Sequence, residues 1–78
     1  MPAPLLELIA SLMAVDPTEI DEQSSADTIA TWDSMRQIML ATTLESEYGF
    51  TMTAAEMEQL GSVASVRSVL AAHGIVDG

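Results

Sequence analysis

Residues 31–50 read TWDSMRQIMLATTLESEYGF and decide the fold, because they contain one complete helix with both of its ends. Asp33 is a good N-cap, since its carboxylate can accept from the first free backbone N–H groups. Gly49 stands where a helix ends in the left-handed conformation, and Phe50 can pack back on the last turn. The residues at core-facing helical spacing are Gln37, Leu40, Ala41, Leu44 and Tyr48. The pattern predicts an amphipathic helix from about Ser34 to Tyr48.

A second face of the same helix is also apolar. Its residues are Met35, Ile38, Met39 and Thr42. This is more apolar than a solvated helix surface needs to be. The face therefore has two interpretations: it widens the core stripe, or it is an exposed surface for a partner.

The preceding segment predicts a first helix from about Pro4 to Ala14. Pro4 suits the first helical turn, where its missing N–H costs nothing. Pro17 disfavours helical geometry at Asp16, so the helix must end before it. The apolar residues that recur at helical intervals are Leu5, Leu6, Ile9, Leu12 and Met13.

Residues 16–33 form a long connection between these two helices. It opens with a capped single turn, in which Asp16 is the cap and Glu19 its capping-box partner. The apolar anchors of the remainder are Ile20, Ile29 and Trp32. We expect Trp32 to hold the loop on the bundle. Connections of this length in small domains are usually functional or mobile.

Two more helices are predicted after Phe50. Thr53 and Glu56 form a capping box that opens a short third helix through Met57 and Leu60, stopped at Gly61. A fourth helix is capped by Ser62 or Ser65 and ended by Gly74, with Ile75 packing back. The apolar face of the fourth helix carries Val66, Val69, Leu70 and His73. The fold class is all-α: a small antiparallel four-helix bundle of three main helices and one short helix, with a long first loop, in one domain over 1–78.

Charge and composition narrow the classes of partner. The chain has 12 acidic and 2 basic residues, a formal net charge of -10, and no Cys. Such a surface repels nucleic acid and anionic lipid. It has two interpretations: it attracts partners with basic patches, or it only keeps a small protein soluble. The apolar N-terminal segment contains Glu7 and no basic residue, so it fits neither a signal peptide nor a membrane span. We expect a cytoplasmic monomer that binds neither nucleic acid nor membrane.

The chain lacks the residue sets that common metal sites and catalytic triads require. One His and no Cys cannot build a zinc site. The acidic loop that starts at Asp16 lacks the glycine that a calcium loop needs at its sixth position. His73 is expected to be structural rather than part of a catalytic triad. We therefore expect no enzymatic activity and no resident metal.

Ser34 is the residue whose position points to chemistry. It follows a long loop and begins a helix, so its hydroxyl should be exposed at the positive end of the helix dipole. A phosphodiester attached there would be stabilised by the free N–H groups of the first turn. The plain alternative is that Ser34 only forms part of the helix cap.

Residues 31–50 resemble the acyl carrier protein family, with Asp33-Ser34-Met35 in the place of the family's Asp-Ser-Leu motif. The similarity continues through Thr53–Glu56, Gly61-Ser62-Val63 and the last helix, and so covers almost the whole chain. The resemblance implies that a phosphopantetheinyl transferase uses coenzyme A and magnesium to attach 4′-phosphopantetheine to Ser34. The thiol of that arm would carry acyl groups as thioesters between partner enzymes. Asp33 and Met35 are the expected neighbours of the arm.

The resemblance also implies a partner surface along the second helix. Its expected residues are Met35, Arg36, Ile38, Met39, Thr42, Glu45 and Glu47. The family often has acids near the serine on this face, whereas this chain has Arg36 and Met39. We therefore expect a discrete carrier of polyketide or other specialised-metabolite biosynthesis, served by an acyltransferase or a ketosynthase, rather than a carrier of housekeeping fatty acid synthesis. The alternatives are an aminoacyl or peptidyl carrier loaded by an adenylating enzyme, and an unmodified acidic interaction module.

Overall fold

The computed structural model describes residues 4–75. The helices in this part are α1 (Pro4–Met13), α2 (Ser34–Tyr48), α3 (Ala54–Glu58) and α4 (Val63–Ala72), with a short 3₁₀ helix (Pro17–Glu19) after α1. No strand occurs between residues 4 and 75. The predicted all-α bundle of three main helices and one short helix is confirmed, and α2 has the predicted bounds.

One cluster of buried side chains forms the core. From α1 it takes Leu5, Ile9 and Met13, which are spaced by one helical turn and fully buried. The other members are Ala10, Ile20, Trp32, Leu40, Ala41, Leu44, Met52, Leu60, Val63, Val66, Val69 and Leu70. Burial of each large aliphatic side chain contributes about 1.5–3 kcal/mol, so this cluster is the main source of stability. The edges of the predicted helix faces, Leu6, Leu12, Gln37 and Tyr48, are only half-buried.

The ends of α2 follow the predicted local chemistry. The Asp33 carboxylate accepts from the backbone N–H of Arg36 at 2.9 Å. At the other end Gly49 adopts a left-handed φ of 68°, and its N–H donates to the Glu45 carbonyl oxygen at 2.9 Å. Phe50 then packs against the core. These contacts satisfy backbone groups that a helix end otherwise leaves without partners.

The predicted caps of the other helices are also present. Asp16 and Glu19 form the capping box of the 3₁₀ helix, and Thr53 and Glu56 form that of α3. Of the two candidate caps for α4, Ser62 is the one used, and its hydroxyl accepts from the N–H of Ser65 at 3.0 Å.

The third helix ends earlier than predicted, at Glu58 rather than Leu60. The N–H groups of Gln59 and Leu60 donate to carbonyls three residues back, those of Glu56 and Met57. This tighter spacing replaces the last α-helical turn. Leu60 consequently leaves the helix and is fully buried in the core.

The prediction that His73 lies on the apolar face of α4 is wrong. The helix ends at Ala72, His73 is its C-cap with a side chain that is 29% exposed, and Gly74 follows with a φ of 75°. This left-handed residue reverses the chain, and Ile75 packs against the core, as predicted. His73 Nε2 lies 2.8 Å from Glu56 Oε2, and its ring is 4.8 Å from that of Phe50.

The long first loop is tied to the segment that leads into α4. Trp32 is 3% exposed, and its indole N–H donates to the Leu60 carbonyl at 3.0 Å, which confirms its predicted anchoring role. The N–H of Ala26 donates to the Gly61 carbonyl at 2.9 Å. The N–H of Val63 donates to the carbonyl of Ser24, a buried residue of the loop, at 3.0 Å. The loop that leads to Ser34 therefore has a defined path.

An ion pair adds a further tie between loop and helix. The Arg67 guanidinium donates to both carboxylate oxygens of Glu22, at 2.6 and 2.7 Å. This hydrogen bonding holds the pKa of the Glu22 carboxyl below its ordinary value. Bidentate geometry of this kind is more directional than an ordinary surface pair.

Candidate functional site

Ser34 is the first residue of α2, and its side chain is exposed. The neighbouring Asp33 carboxylate accepts from the N–H of Arg36 and so caps the helix. It makes no hydrogen bond with the Ser34 hydroxyl. Within residues 4–75 the Ser34 hydroxyl has no hydrogen-bond partner, and neither have the N–H groups of Ser34 and Met35. An exposed hydroxyl beside unpaired N–H groups, at the positive end of a helix of 15 residues, fits a covalently attached phosphodiester.

The residues around Ser34 tie the start of α2 to the end of α1. The Arg36 guanidinium donates to the Leu12 carbonyl at 2.6 Å. The Thr31 hydroxyl donates to the neighbouring Met13 carbonyl at 2.5 Å. Both carbonyls belong to the last turn of α1, which the helix itself cannot satisfy. Hydrogen bonds to the end of α1 therefore hold in place the first turn of α2, which carries Ser34.

A shallow depression of 210 Å³ lies beside Ser34, between α2 and α3. It is lined by Ser34, Gln37, Ile38, Met57 and Glu58. The Gln37 amide donates to the carbonyls of Met57 and Glu58, at 3.1 and 3.3 Å. Gln37 thus holds the C-terminal end of α3 against α2, next to the candidate attachment residue.

The second face of α2 is exposed. The large apolar side chains that are exposed within residues 4–75 are Met35 at 72%, Ile38 at 63% and Met39 at 45%. The interpretation of a widened core stripe is therefore wrong. Thr42 is exposed on the same face, and its hydroxyl donates to the Ile38 carbonyl at 3.2 Å. Because residues three and four apart share a helix face, these side chains form one patch that begins beside Ser34.

The charged residues expected on this surface differ from one another. Glu47 is exposed. Glu45 is half-buried, and its carboxylate accepts from the Met52 N–H at 2.7 Å. Arg36 is likewise half-buried, with its guanidinium at the end of α1. The structure thus brings together Met35, Ile38, Met39 and Thr42, while the polar ends of Arg36 and Glu45 bond within the chain.

The sequence pattern does not indicate several residues of this site. The helical spacing puts Gln37 on the core face, and a polar side chain at such a position indicates an amide that needs a hydrogen-bond partner. Thr31, Met57 and Glu58 carried no signal. Their contacts with the site depend on how the helices pack, which spacing along the chain does not show.

The His73–Glu56 pair is a structural feature of α3 and α4. Hydrogen bonds from the Thr53 backbone N–H, and then from His73, hold the pKa of the Glu56 carboxyl below its ordinary value. No three His, Asp or Glu side chains within residues 4–75 are grouped to hold a metal ion. Over the same range, no helix has the length and apolar run of a membrane span.

Comparison with known families agrees with this geometry. The family model described as the phosphopantetheine attachment site matches residues 3–70, which is more than half of the chain. No curated protein matches the chain. Carrier domains of this kind are not themselves catalytic, and they hold 4′-phosphopantetheine covalently. An exposed serine on a braced helix start and a family match over most of its length together mean that this chain belongs to the acyl carrier protein family.

Proposed function

We propose that Ser34 is the residue that carries the 4′-phosphopantetheine arm, and that residues 1–78 form one carrier domain that passes acyl groups between partner enzymes. The observation that carries this proposal is the exposed Ser34 hydroxyl, which has no partner within the described residues. A phosphopantetheinyl transferase would join Ser34 Oγ to the phosphate of coenzyme A, with release of adenosine 3′,5′-bisphosphate. The bound arm supplies a thiol that carries the acyl group as a thioester.

The neighbouring residues support attachment in three ways. The unpaired N–H groups of Ser34 and Met35 can donate to a phosphate at the helix start. Asp33 keeps the first turn of α2 formed by capping it. Trp32 fixes the loop in front of the serine, so that a transferase meets one conformation rather than many.

We propose that partner enzymes bind the exposed face of α2. Its centre is Met35, Ile38, Met39 and Thr42, and its borders are Arg36, Glu45 and Glu47. Arg36 and Glu45 are half-buried, so each offers only its outer atoms to a partner. An apolar centre in a chain of net charge -10 suits an enzyme surface with an apolar middle and a basic rim.

The scarcity of acidic side chains on the part of this face near Ser34 supports a role outside housekeeping fatty acid synthesis. We propose polyketide or other specialised-metabolite biosynthesis, with an acyltransferase or a ketosynthase as the partner. An aminoacyl carrier loaded by an adenylating enzyme is the alternative, and it would use the same serine and the same face.

Intact mass spectrometry tests the attachment. The native chain is incubated with coenzyme A, magnesium and a purified phosphopantetheinyl transferase, beside Ser34→Ala and Ser46→Ala. Ser46 is an exposed serine of the same helix, so its variant is a matched control. We expect the phosphopantetheine mass increment on the native chain and on Ser46→Ala, and none on Ser34→Ala. An increment that persists on Ser34→Ala would refute the assignment, and none on any chain would favour an unmodified interaction module.

A further inference from the structure

The sulfur chemistry of this chain is concentrated on the face of α2 beside Ser34. The chain has 6 Met and no Cys, so thioethers are its only sulfur groups. Met35 and Met39 are 72% and 45% exposed, whereas Met13 and Met52 are 0% and 5% exposed. Met57 is half-buried, and Met1 lies outside the described residues. An oxidant in solution therefore reaches Met35 and Met39 before the two buried sulfurs.

These two methionines are neighbours on the helix. They are four residues apart, with Ile38 between them, so their side chains lie on one face. The patch starts at the residue after Ser34. Both side chains are long and unbranched, which suits contact with apolar surfaces of varied shape. A change in the polarity of either sulfur would alter the surface that a partner must cover to reach Ser34.

We propose that Met35 and Met39 form a reversible oxidation site, and that their conversion to sulfoxides by a peroxide blocks partner binding at the face of α2. The sulfur lone pair attacks one oxygen of hydrogen peroxide. An S–O bond forms, the O–O bond breaks, and the departing hydroxide takes the remaining peroxide proton to leave as water. Sulfur loses two electrons and the peroxide gains them.

The consequence for binding rests on the proposed function. A sulfoxide is a strong hydrogen-bond acceptor, and covering it with an apolar partner surface removes its water without replacing the hydrogen bond. Neither side chain belongs to the core, so oxidation leaves the bundle folded. Methionine sulfoxide reductases reverse the change: the oxygen leaves as water while a dithiol is oxidised to a disulfide.

Site-resolved mass mapping after brief treatment with dilute hydrogen peroxide tests the chemistry. We expect sulfoxide at Met35 and Met39 while Met13 and Met52 remain reduced. Equal rates at the exposed and buried positions would overturn the proposal. Circular dichroism of the same samples is expected to show unchanged helix content, and unfolding on oxidation would also overturn it.

The effect on binding is measured as the rate at which a phosphopantetheinyl transferase modifies the chain before oxidation, after oxidation, and after repair by both reductases. We expect about a tenfold loss of kcat/KM on oxidation, equivalent to about 1.4 kcal/mol, and recovery on repair. The control is the double variant Met35→Leu and Met39→Leu, whose rate after the same treatment is compared with its own rate before treatment and is expected not to change. An unchanged rate for the oxidised native chain would overturn the proposal, as would an equal loss in the double variant. The untreated chain separates the two claims, because absence of modification there contradicts the proposed function instead.

Discussion

At the scale of single residues, the site depends on side chains that have no partner and others that are fully engaged. The Ser34 hydroxyl is exposed and has no hydrogen-bond partner inside the described chain, and Met35 beside it is 72% exposed. The Asp33 carboxylate caps the start of α2, and the Arg36 guanidinium donates to a carbonyl at the end of α1. The groups that this surface offers to a reactant are therefore an unpaired hydroxyl and neighbouring thioethers, while the nearby charged side chains bind backbone groups at helix ends.

Replacing Met39 by Glu tests the apolar character of the α2 face. We expect kcat/KM for modification by a phosphopantetheinyl transferase to fall by about tenfold, because an unpaired carboxylate must lose water when an apolar surface covers it. Stability should change by less than about 0.5 kcal/mol, since the side chain is exposed and both residues are good helix formers. Ser68→Glu adds the same charge at an exposed site on α4 and is expected to react normally. An unaltered rate for Met39→Glu would contradict an apolar partner contact here.

At the scale of elements, α3 is held by polar contacts from its neighbours as well as by the packing of Met57 against the core. It has 5 residues, none of them fully buried, and a helix this short is not stable alone. Gln37 binds the carbonyls of Met57 and Glu58 at its end, and His73 binds Glu56 in its first turn. Contacts made by a side chain of α2 and by the residue that follows α4 therefore help to fix where α3 lies relative to Ser34.

Replacing Gln37 by Leu removes the contact at the end of α3. Both carbonyls lose the Gln37 amide, and that of Met57 keeps the longer bond from the Leu60 N–H, at 3.4 Å. The loss costs about 1 kcal/mol locally. We expect hydrogen exchange at the bonded amides of Met57, Gln59 and Leu60 to speed up by about fivefold, while exchange in α1 stays as it was. Thr42→Val is the control, since that hydroxyl bonds only within α2. Identical exchange of these three amides in Gln37→Leu and in the native chain would show that Gln37 does not hold α3.

At the scale of the whole molecule, a net charge of -10 surrounds a small apolar patch. Arg67 is paired with Glu22, whereas Arg36 binds a neutral carbonyl and keeps its positive charge at the border of the patch. One arginine there leaves the net charge of the molecule strongly negative. Long-range attraction to a basic partner should therefore govern encounter, while the apolar side chains of α2 govern the contact that follows.

If charge governs encounter and apolar contact governs the bound state, ionic strength should affect the association rate more than the dissociation rate. On raising ionic strength from about 0.01 to about 1 M, the Debye length falls from about 30 to about 3 Å. We expect the association rate with a phosphopantetheinyl transferase to fall by roughly tenfold or more, and the dissociation rate to change far less. Glu47→Gln, on α2, should flatten this dependence more than Glu7→Gln, on α1. Association that is indifferent to salt would contradict electrostatic steering.

What the sequence determined by itself was local. The bounds of α2, its cap at Asp33, the left-handed Gly49 and the position of Ser34 at a helix start all depend on hydrogen bonds between residues close along the chain. These features could be predicted because the groups that form each hydrogen bond lie within a few residues of one another in the sequence. The end of α3 differs from the prediction because the packing of Leu60 in the core, rather than local capping, decides the path of the chain there.

Only the tertiary structure decided which face of α2 remains exposed. It also decided three contacts that brace the site: Arg36 to Leu12, Gln37 to Met57, and Trp32 to Leu60, which join residues 24, 20 and 28 positions apart. Helical periodicity shows that two faces are apolar, but it does not show which of them the other helices cover. That choice belongs to the packing of the whole bundle, because burying the face with Leu40 and Leu44 leaves Met35, Ile38 and Met39 in water beside Ser34.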